Sequence, residues 1–255
     1  MSIEALIFDV DGTMADTEEA HRVAFNLAFG RYRLGWVWQP VEYRELLKIT
    51  GGKERMTRYI DTLAVSSVER RRLSTLVPDI HAEKTRFYSS FVADGAVPLR
   101  DGVARLLDEA LDAGCKLAIA STTTAVNIDA LLRSAFGPRG RGMFGAVACG
   151  DQVRAKKPAP DIYQLALRGL GMRPEQAVAF EDSPNGLRAA RAARLRTVVT
   201  PNYWTEDGDF SAATLLLPRL GDPQRPLAGE PGTRLESAAW LRFDELPRRL
   251  SASFA

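Results

Sequence analysis

Apolar and polar positions alternate along this chain in two different rhythms. Residues 5–8, Ala-Leu-Ile-Phe, form an unbroken apolar run with the length and bounds of a buried strand. Asp9 and Asp11 follow at once, and Gly12 breaks the run, so both acids are expected at the strand's carboxyl end. From there to residue 92 the rhythm is helical. Asp16 or Thr17 caps a helix reaching about residue 29, with Glu18 and Glu19 favourable in its first turn. The stretches 43–47, 55–63, 68–76 and 79–92 read as short helices of a bundle, with no convincing strand between residues 40 and 92. Residues 94–102 hold two glycines and Pro98 and read as a return linker. Beyond it, strands at 116–120, 145–149, 177–180 and 197–200 alternate with helices at 103–113, 126–136, 161–170 and 187–193.

Alternation of this kind implies an α/β fold: a parallel sheet with right-handed crossovers and helices on both faces. The helical block interrupts it just after the first strand. The expected division is a core of residues 1–15 and 95–217, an α-helical bundle cap over 16–94, and a tail of 218–255. Residues 218–232 are rich in Pro and Gly, and the periodicity over 235–250 supports at most one weak helix.

Composition narrows the classes of function. The 255 residues suffice for one large domain or a core with a smaller companion. A formal charge of +2, without a long Lys/Arg run, argues against a nucleic-acid partner, so any basic site must be local. Cys115 and Cys149 are too few for a disulfide framework, and His21 and His81 alone exclude a multi-histidine metal site. No apolar stretch is long enough to span a bilayer, and the first strand begins too early to leave room for a leader. The expectation is a cytoplasmic monomer that acts on a small molecule, with no membrane partner.

Residues with chemistry gather at the strand ends, where open α/β sheets bind ligands. Asp9 and Asp11, spaced i and i+2, can point to one side of the backbone, although Asp-Gly is also the ordinary mark of a turn. The second strand ends in Ser121-Thr122-Thr123-Thr124, whose hydroxyls and free N–H groups suit an anion or simply cap a helix. Lys156-Lys157-Pro158 follow the third strand, either as a lysine held on a rigid loop or as a solvated charge. The fourth ends in Glu181-Asp182-Ser183, an N-cap or an oxygen-ligand site for Mg²⁺. Each signal alone is ambiguous. Together they put two carboxylate pairs, an anion site and a lysine on one edge of one sheet, which is what an aspartyl phosphotransferase needs. A carboxylate attacking a phosphate is an anion approaching an anion, a repulsion of about 4 kcal/mol per charge pair at about 4 Å and an effective dielectric near 20. A divalent ion and a lysine offset it. Asp9, ionised at neutral pH, would form the aspartyl-phosphate, and Asp11 is placed to protonate the leaving alcohol and then activate water.

Asp9-Val10-Asp11-Gly12-Thr13, Ser121 after a strand, Lys157-Pro158 and Glu181-Asp182 resemble the four motifs of the haloacid dehalogenase superfamily. The resemblance spans about residues 3–200. It implies a Rossmann-like core with a helical cap inserted after the first strand. It further implies nucleophile Asp9 and acid/base Asp11, with Lys157 and Ser121 assisting. Mg²⁺ would be held by Asp9, the Asp11 carbonyl and Asp182, with Glu181 nearby. The second aspartate of the first motif argues for phosphate chemistry over dehalogenation.

Within that superfamily the chain looks most like the CbbY type, xylulose-1,5-bisphosphate phosphatases associated with Rubisco maintenance. The matching pieces include Glu18 with His21, Tyr43-Arg44-Glu45-Leu46-Leu47, and Thr50-Gly51-Gly52-Lys53-Glu54-Arg55. Others are His81 with Lys84, Ser121-Thr122-Thr123 with Asn127, and Lys156-Lys157-Pro158-Ala159-Pro160-Asp161-Ile162-Tyr163. The resemblance implies that Glu18, His21, Tyr43, Gly51, Gly52, Lys53, Arg55, His81, Lys84, Ser121, Thr122, Thr123, Asn127 and Lys157 bind substrate. Lys53 and Arg55 flank one acid after a Gly-Gly turn and suit a second phosphate. His81, Lys84 and Tyr88 share a helix face, which would otherwise read as a solvated basic surface. The rivals to a Mg²⁺-dependent sugar-bisphosphate phosphatase are a phosphosugar mutase of the β-phosphoglucomutase type and a non-catalytic phosphosugar sensor. The sensor would be expected to lack one of the acids.

Overall fold

The computed structural model describes residues 3–227 and 240–251. Its centre is β1 (Ala5–Phe8), with all four side chains buried. A strand with no polar side chain fits only the middle of a sheet covered on both faces. It pairs in parallel with β2 (Lys116–Ala120) on one side and β4 (Ala177–Glu181) on the other. β3 (Ala146–Ala148), β5 (Arg196–Val199) and β6 (Leu215–Leu216) complete an all-parallel sheet of order β3-β2-β1-β4-β5-β6. The order reverses at β1, so a crevice opens there at the carboxyl edge. Phe8 is level with both Ile119 and Phe180, so the residues just past three strands meet at one place.

The two sheet faces differ in side-chain size. Leu6, Phe8, Leu117, Ile119, Val178 and Phe180 face one way, with Phe8 stacked on Phe180 at 4.4 Å. α5 (Val103–Asp112) and α6 (Ala125–Phe136) cover that side. Ala5, Ile7, Ala118, Ala120, Ala177 and Ala179 face the other, where small side chains admit α7 (Asp161–Leu170) and α8 (Pro184–Ala192) closely.

Between β1 and α5 the chain builds α1 (Glu18–Arg31), α2 (Pro40–Leu46), α3 (Gly52–Thr62) and α4 (Ser67–Ala93). These helices share an apolar cluster of their own, including Phe25, Phe29, Trp38, Tyr43, Met56 and Ile80. The segments entering and leaving them are joined by a short antiparallel bridge between Ala15 and Leu99.

Three differences from the sequence reading stand out. The expected helices 68–76 and 79–92 are one helix, α4, with Pro78 inside it. A proline forfeits one backbone hydrogen bond and ordinarily ends a helix. Here Leu73, Val77, Ile80, Lys84, Tyr88 and Val92 bury one continuous stripe, and that packing outweighs the lost bond. The sheet also does not end at the strand after residue 196, because β6 pairs with β5. Two residues give too little pattern to see. Finally, the tail joins the core: Leu220, Leu241, Leu246 and Leu250 are buried against it. Arg105 donates to the Gly221 and Leu241 carbonyls at 2.8 and 2.9 Å, and Glu109 accepts from the Phe243 amide. Of the weak helix expected over 235–250, residues 235–239 lie outside the described residues; in the described part a 3-10 turn at Phe243–Glu245 leads into the short helix α9 (Leu246–Arg249). Residues 228–232 of the Pro/Gly-rich stretch also lie outside.

Candidate active site

Asp9 follows β1 directly, its amide bonded to the Phe180 carbonyl at 3.0 Å. Gly12 turns the chain with φ +81°, and a Cβ there would collide with Asp182 Oδ2. Only glycine lets this turn pass beside that acid. Lys157 reaches in from the loop before α7 and donates at 2.6 Å to both Asp9 Oδ1 and Glu181 Oε1. Tyr163, on α7, donates to Glu181 Oε1 at 2.5 Å.

Asp9, Glu181 and Asp182 are buried and each places an oxygen within 4.8 Å of the others. Burial pushes Asp9 up to about 7; Lys157 pulls it down, while Glu181 and Asp11 push it up again. Asp182 is likewise held well above the usual carboxylate range by burial, Asp9 and Glu181. Burial works against the charge of Lys157, the one lysine among them, but Asp9 and Glu181 outweigh it and push the ammonium's pKa up as well, so it stays protonated. Fully ionised, the three carboxylates would carry more negative charge than one lysine neutralises, and with burial that repulsion is what pushes Asp9 and Asp182 up. An all-oxygen donor set with excess negative charge and no sulfur or imidazole fits a hard divalent cation such as Mg²⁺.

Asp11 belongs to a second chain of contacts. Its Oδ1 lies 2.9 Å from His21 Nε2, and Lys84 Nζ lies 2.7 Å from His21 Nδ1. His21 stacks on Tyr88 at 4.0 Å. Burial and Lys84 hold the imidazole below its ordinary pKa, so a neutral ring donates from Nε2 and accepts at Nδ1. Burial works against the Asp11 carboxylate, but His21 and Lys84 outweigh it and hold it at about 2. Beside this chain, Glu18 accepts from Tyr43 Oη at 3.1 Å, and that oxygen accepts from Arg55 Nη1 at 3.0 Å.

Above the acids lies a cavity of about 450 Å³ whose walls come from both the sheet edge and the inserted helices. Asp9, Asp11, Asp182 and Lys157 line it from the core; Glu18, His21, Lys53, Arg55, His81 and Lys84 line it from the cap. Gly51 and Gly52 at the start of α3 also face it, as do Thr122, Thr123 and Asn127 at the start of α6. Ser121, Tyr43 and Glu181 stand behind the wall. Ser121 Oγ accepts from the Thr123 amide at 3.3 Å, and Thr124 caps α6. Lys53 and Arg55, read as a pair, differ: Lys53 is half-exposed and 3.9 Å from Asp151, whereas Arg55 is buried and bonded to the Leu46 carbonyl and Tyr43. Burial and the lysines Lys84, Lys53 and Lys156 drag His81 down to about 3, so it stays neutral.

Arg44 and Lys156 stood in matched runs without being named as substrate-binding, yet both line the cavity, and sequence reading missed Trp204 on its wall and Asn202 beside Asp182 altogether. Lys156 pairs with Glu54 at 2.8 Å, and Trp204 meets Tyr43 edge-on at 5.7 Å. Residues 200–208, which carry Asn202 and Trp204, leave the carboxyl end of β5 at the same sheet edge as the motifs, but no local spacing marks which of them reach the site.

Residues 3–194 match the family model for haloacid dehalogenase-like hydrolases. The chain belongs to this family. It is an enzyme, a phosphoric monoester hydrolase. The hydrolase is 48% identical over 225 residues to the protein CbbY of Cupriavidus necator, covering 88% of this chain and 89% of that one. It is 31% identical over 196 residues to the fructose-1-phosphate phosphatase YqaB of Escherichia coli, covering 76% and 94% of the two chains. The crystal structure of a mutant CbbY from Rhodobacter sphaeroides in complex with xylulose-(1,5)bisphosphate superposes on this hydrolase with a TM-score of 0.79. That pair is 46% identical, over 85% of this chain and 94% of that one.

Proposed function

We propose that this hydrolase removes one phosphate from a sugar bisphosphate through an aspartyl-phosphate on Asp9, with xylulose 1,5-bisphosphate, a Rubisco inhibitor, as its substrate. One observation carries the reading: a single cavity joins the acid cluster at the sheet edge to the cationic cap residues Lys53 and Lys84, giving each end of a bisphosphate a site. Its size suits a small phosphosugar. The CbbY complex supports the choice of sugar.

Asp9 attacks the phosphorus with Oδ2, while Lys157 holds Oδ1 and balances part of the charge. Asp11 gives a proton to the leaving sugar oxygen. In the free enzyme His21 and Lys84 keep Asp11 ionised; a phosphate dianion beside it raises its pKa and favours the protonated form this step requires. Asp11 then takes a proton from the water that attacks the aspartyl-phosphate, and Thr122, Thr123 and Asn127 border the space for the phosphoryl oxygens. Asp9 and Asp182, with Glu181 behind them, would hold Mg²⁺, which when bound offsets the repulsion between nucleophile and phosphate. No described helix is long and apolar enough to cross a membrane, and both cysteines are buried and unpaired, which suits a reducing compartment.

The test is phosphate release across a panel of sugar mono- and bisphosphates, with and without chelator. The expected result is Mg²⁺-dependent release, fastest on xylulose 1,5-bisphosphate, with one free phosphate per substrate consumed. Isomerised sugar phosphate without matching free phosphate would identify a mutase instead, and full activity in chelator would remove the metal.

A further inference from the structure

The acid cluster has a support that no motif marks. Asp182 accepts from two side chains: Thr13 Oγ1 on Oδ1 at 3.3 Å and Asn202 Nδ2 on Oδ2 at 2.8 Å. Asn202 Nδ2 also donates to the Gly12 carbonyl at 3.1 Å. Its carbonyl oxygen accepts from the Trp204 amide at 2.8 Å, which fixes which way the amide faces. Every hydrogen-bonding direction of this side chain that faces the protein is therefore used, and its two donors bridge the first-motif turn to Asp182. The Gly12 carbonyl is gripped from its other side by Arg100 Nη1, which also donates to the Thr200 carbonyl at 2.7 Å, while Nη2 donates to the Pro201 carbonyl at 2.9 Å. The loop that carries Asn202 touches the cap as well. Arg44 on α2 pairs with Asp207 at 2.7 Å and lies over the Tyr203 ring.

We infer that Asn202 is a positioning residue for the divalent cation, fixing the orientation of the Asp182 carboxylate beside Asp9 by its bond to Oδ2, from a loop anchored to the cap. The inference rests on the cation reading of the acid cluster. A carboxylate packed among other carboxylates turns away from them unless a donor holds it, and such partners typically change metal affinity about 10–100-fold when removed. Thr13 alone, at 3.3 Å, leaves Oδ2 free to rotate.

The decisive variant is Asn202→Ser. A serine hydroxyl can still accept from the Trp204 amide and keep the turn, but it is too short to bridge Asp182 and Gly12. Mg²⁺ binding is measured by calorimetry on the full chain without substrate, together with the metal-free melting temperature. The expected result is an Mg²⁺ dissociation constant raised about 10–100-fold, with a metal-free melting temperature close to that of the parent. Turnover at saturating Mg²⁺ should recover most of its value, which a merely structural defect would not allow. An unchanged dissociation constant overturns the inference, and so does failure of Asn202→Ser to fold, since Asn202 is then only a part of the loop's framework. If the parent itself binds no Mg²⁺, the cation reading fails, which the same titration tells apart.

Discussion

Asp9 and its lysine show how much a single residue can decide. Asn at this position keeps an oxygen for the 2.6 Å contact from Lys157 but cannot form an acyl phosphate. It also removes one charge from a crowded acid cluster. Asp9→Asn should therefore lose on the order of 10⁴-fold or more in phosphate release while melting no lower than the parent. Near-normal release by this variant would disprove the aspartyl-phosphate route. The residues proposed for this chemistry were legible as candidates because most stand in short runs just past an apolar strand, with Lys157 on the loop that follows β3. Asn202 and Arg100 were not, although they hold the same turn. Their partners lie 190 and 88 positions away in sequence, and no local spacing encodes that. Nor does spacing separate Lys53 from Arg55, whose different partners are set by tertiary packing.

Among the elements, α4 has the most consequence for the site. It carries Lys84 inward on the same stripe as Ile80 and Tyr88, so the ammonium is buried over the Phe25 and Tyr88 rings at 5.0 and 5.1 Å. Burial drags it down to about 7 despite Asp11 and Glu18. A buried cation with one nitrogen partner is a poor source of stability. Lys84→Met keeps the length and the ring contacts but removes the proton donor that fixes the His21 tautomer. The melting temperature should hold or rise, while kcat at saturating substrate falls about 10–100-fold because Asp11 is no longer held. An unchanged kcat would separate Lys84 from Asp11. The existence of each cap helix could be read from periodicity, but the length of α4 could not, since Pro78 is a stop signal that only packing overrides. β6 and the tail were illegible for the same reason: their burial depends on surfaces made elsewhere in the chain.

Across the whole molecule, the contrast between the two bodies and their seam explains how a substrate could enter. Core and cap each have an apolar cluster, whereas many of the contacts between them around the cavity are polar: Lys156 with Glu54, Asn185 with Thr50 at 2.9 Å, Arg44 with Asp207. Exposed polar contacts of this kind contribute little each and break readily, so the seam can loosen around the cavity mouth, while Ala24, Tyr88 and Val92 keep α1 and α4 packed in the core's own apolar cluster. On that seam Lys53 and Arg55 are predicted to behave in opposite ways. Lys53 is half-exposed on the cavity wall and its one acid, Asp151, is 3.9 Å away, so a distal phosphate can recruit it at little cost. One charged hydrogen bond of about 1.5–3 kcal/mol implies that Lys53→Ala lowers kcat/KM for the bisphosphate about 10–100-fold and leaves a monophosphate nearly unaffected. Arg55 already holds the Leu46 carbonyl and Tyr43, joining α2 to α3. Arg55→Ala should cost about 2–4 kcal/mol of stability in denaturant unfolding and depress both substrates alike. Kinetics on the paired substrates, with the unfolding midpoint of each variant, decides the matter. Equal losses on both substrates in Lys53→Ala would move the distal phosphate elsewhere, and a selective loss in Arg55→Ala at unchanged stability would give that role to Arg55.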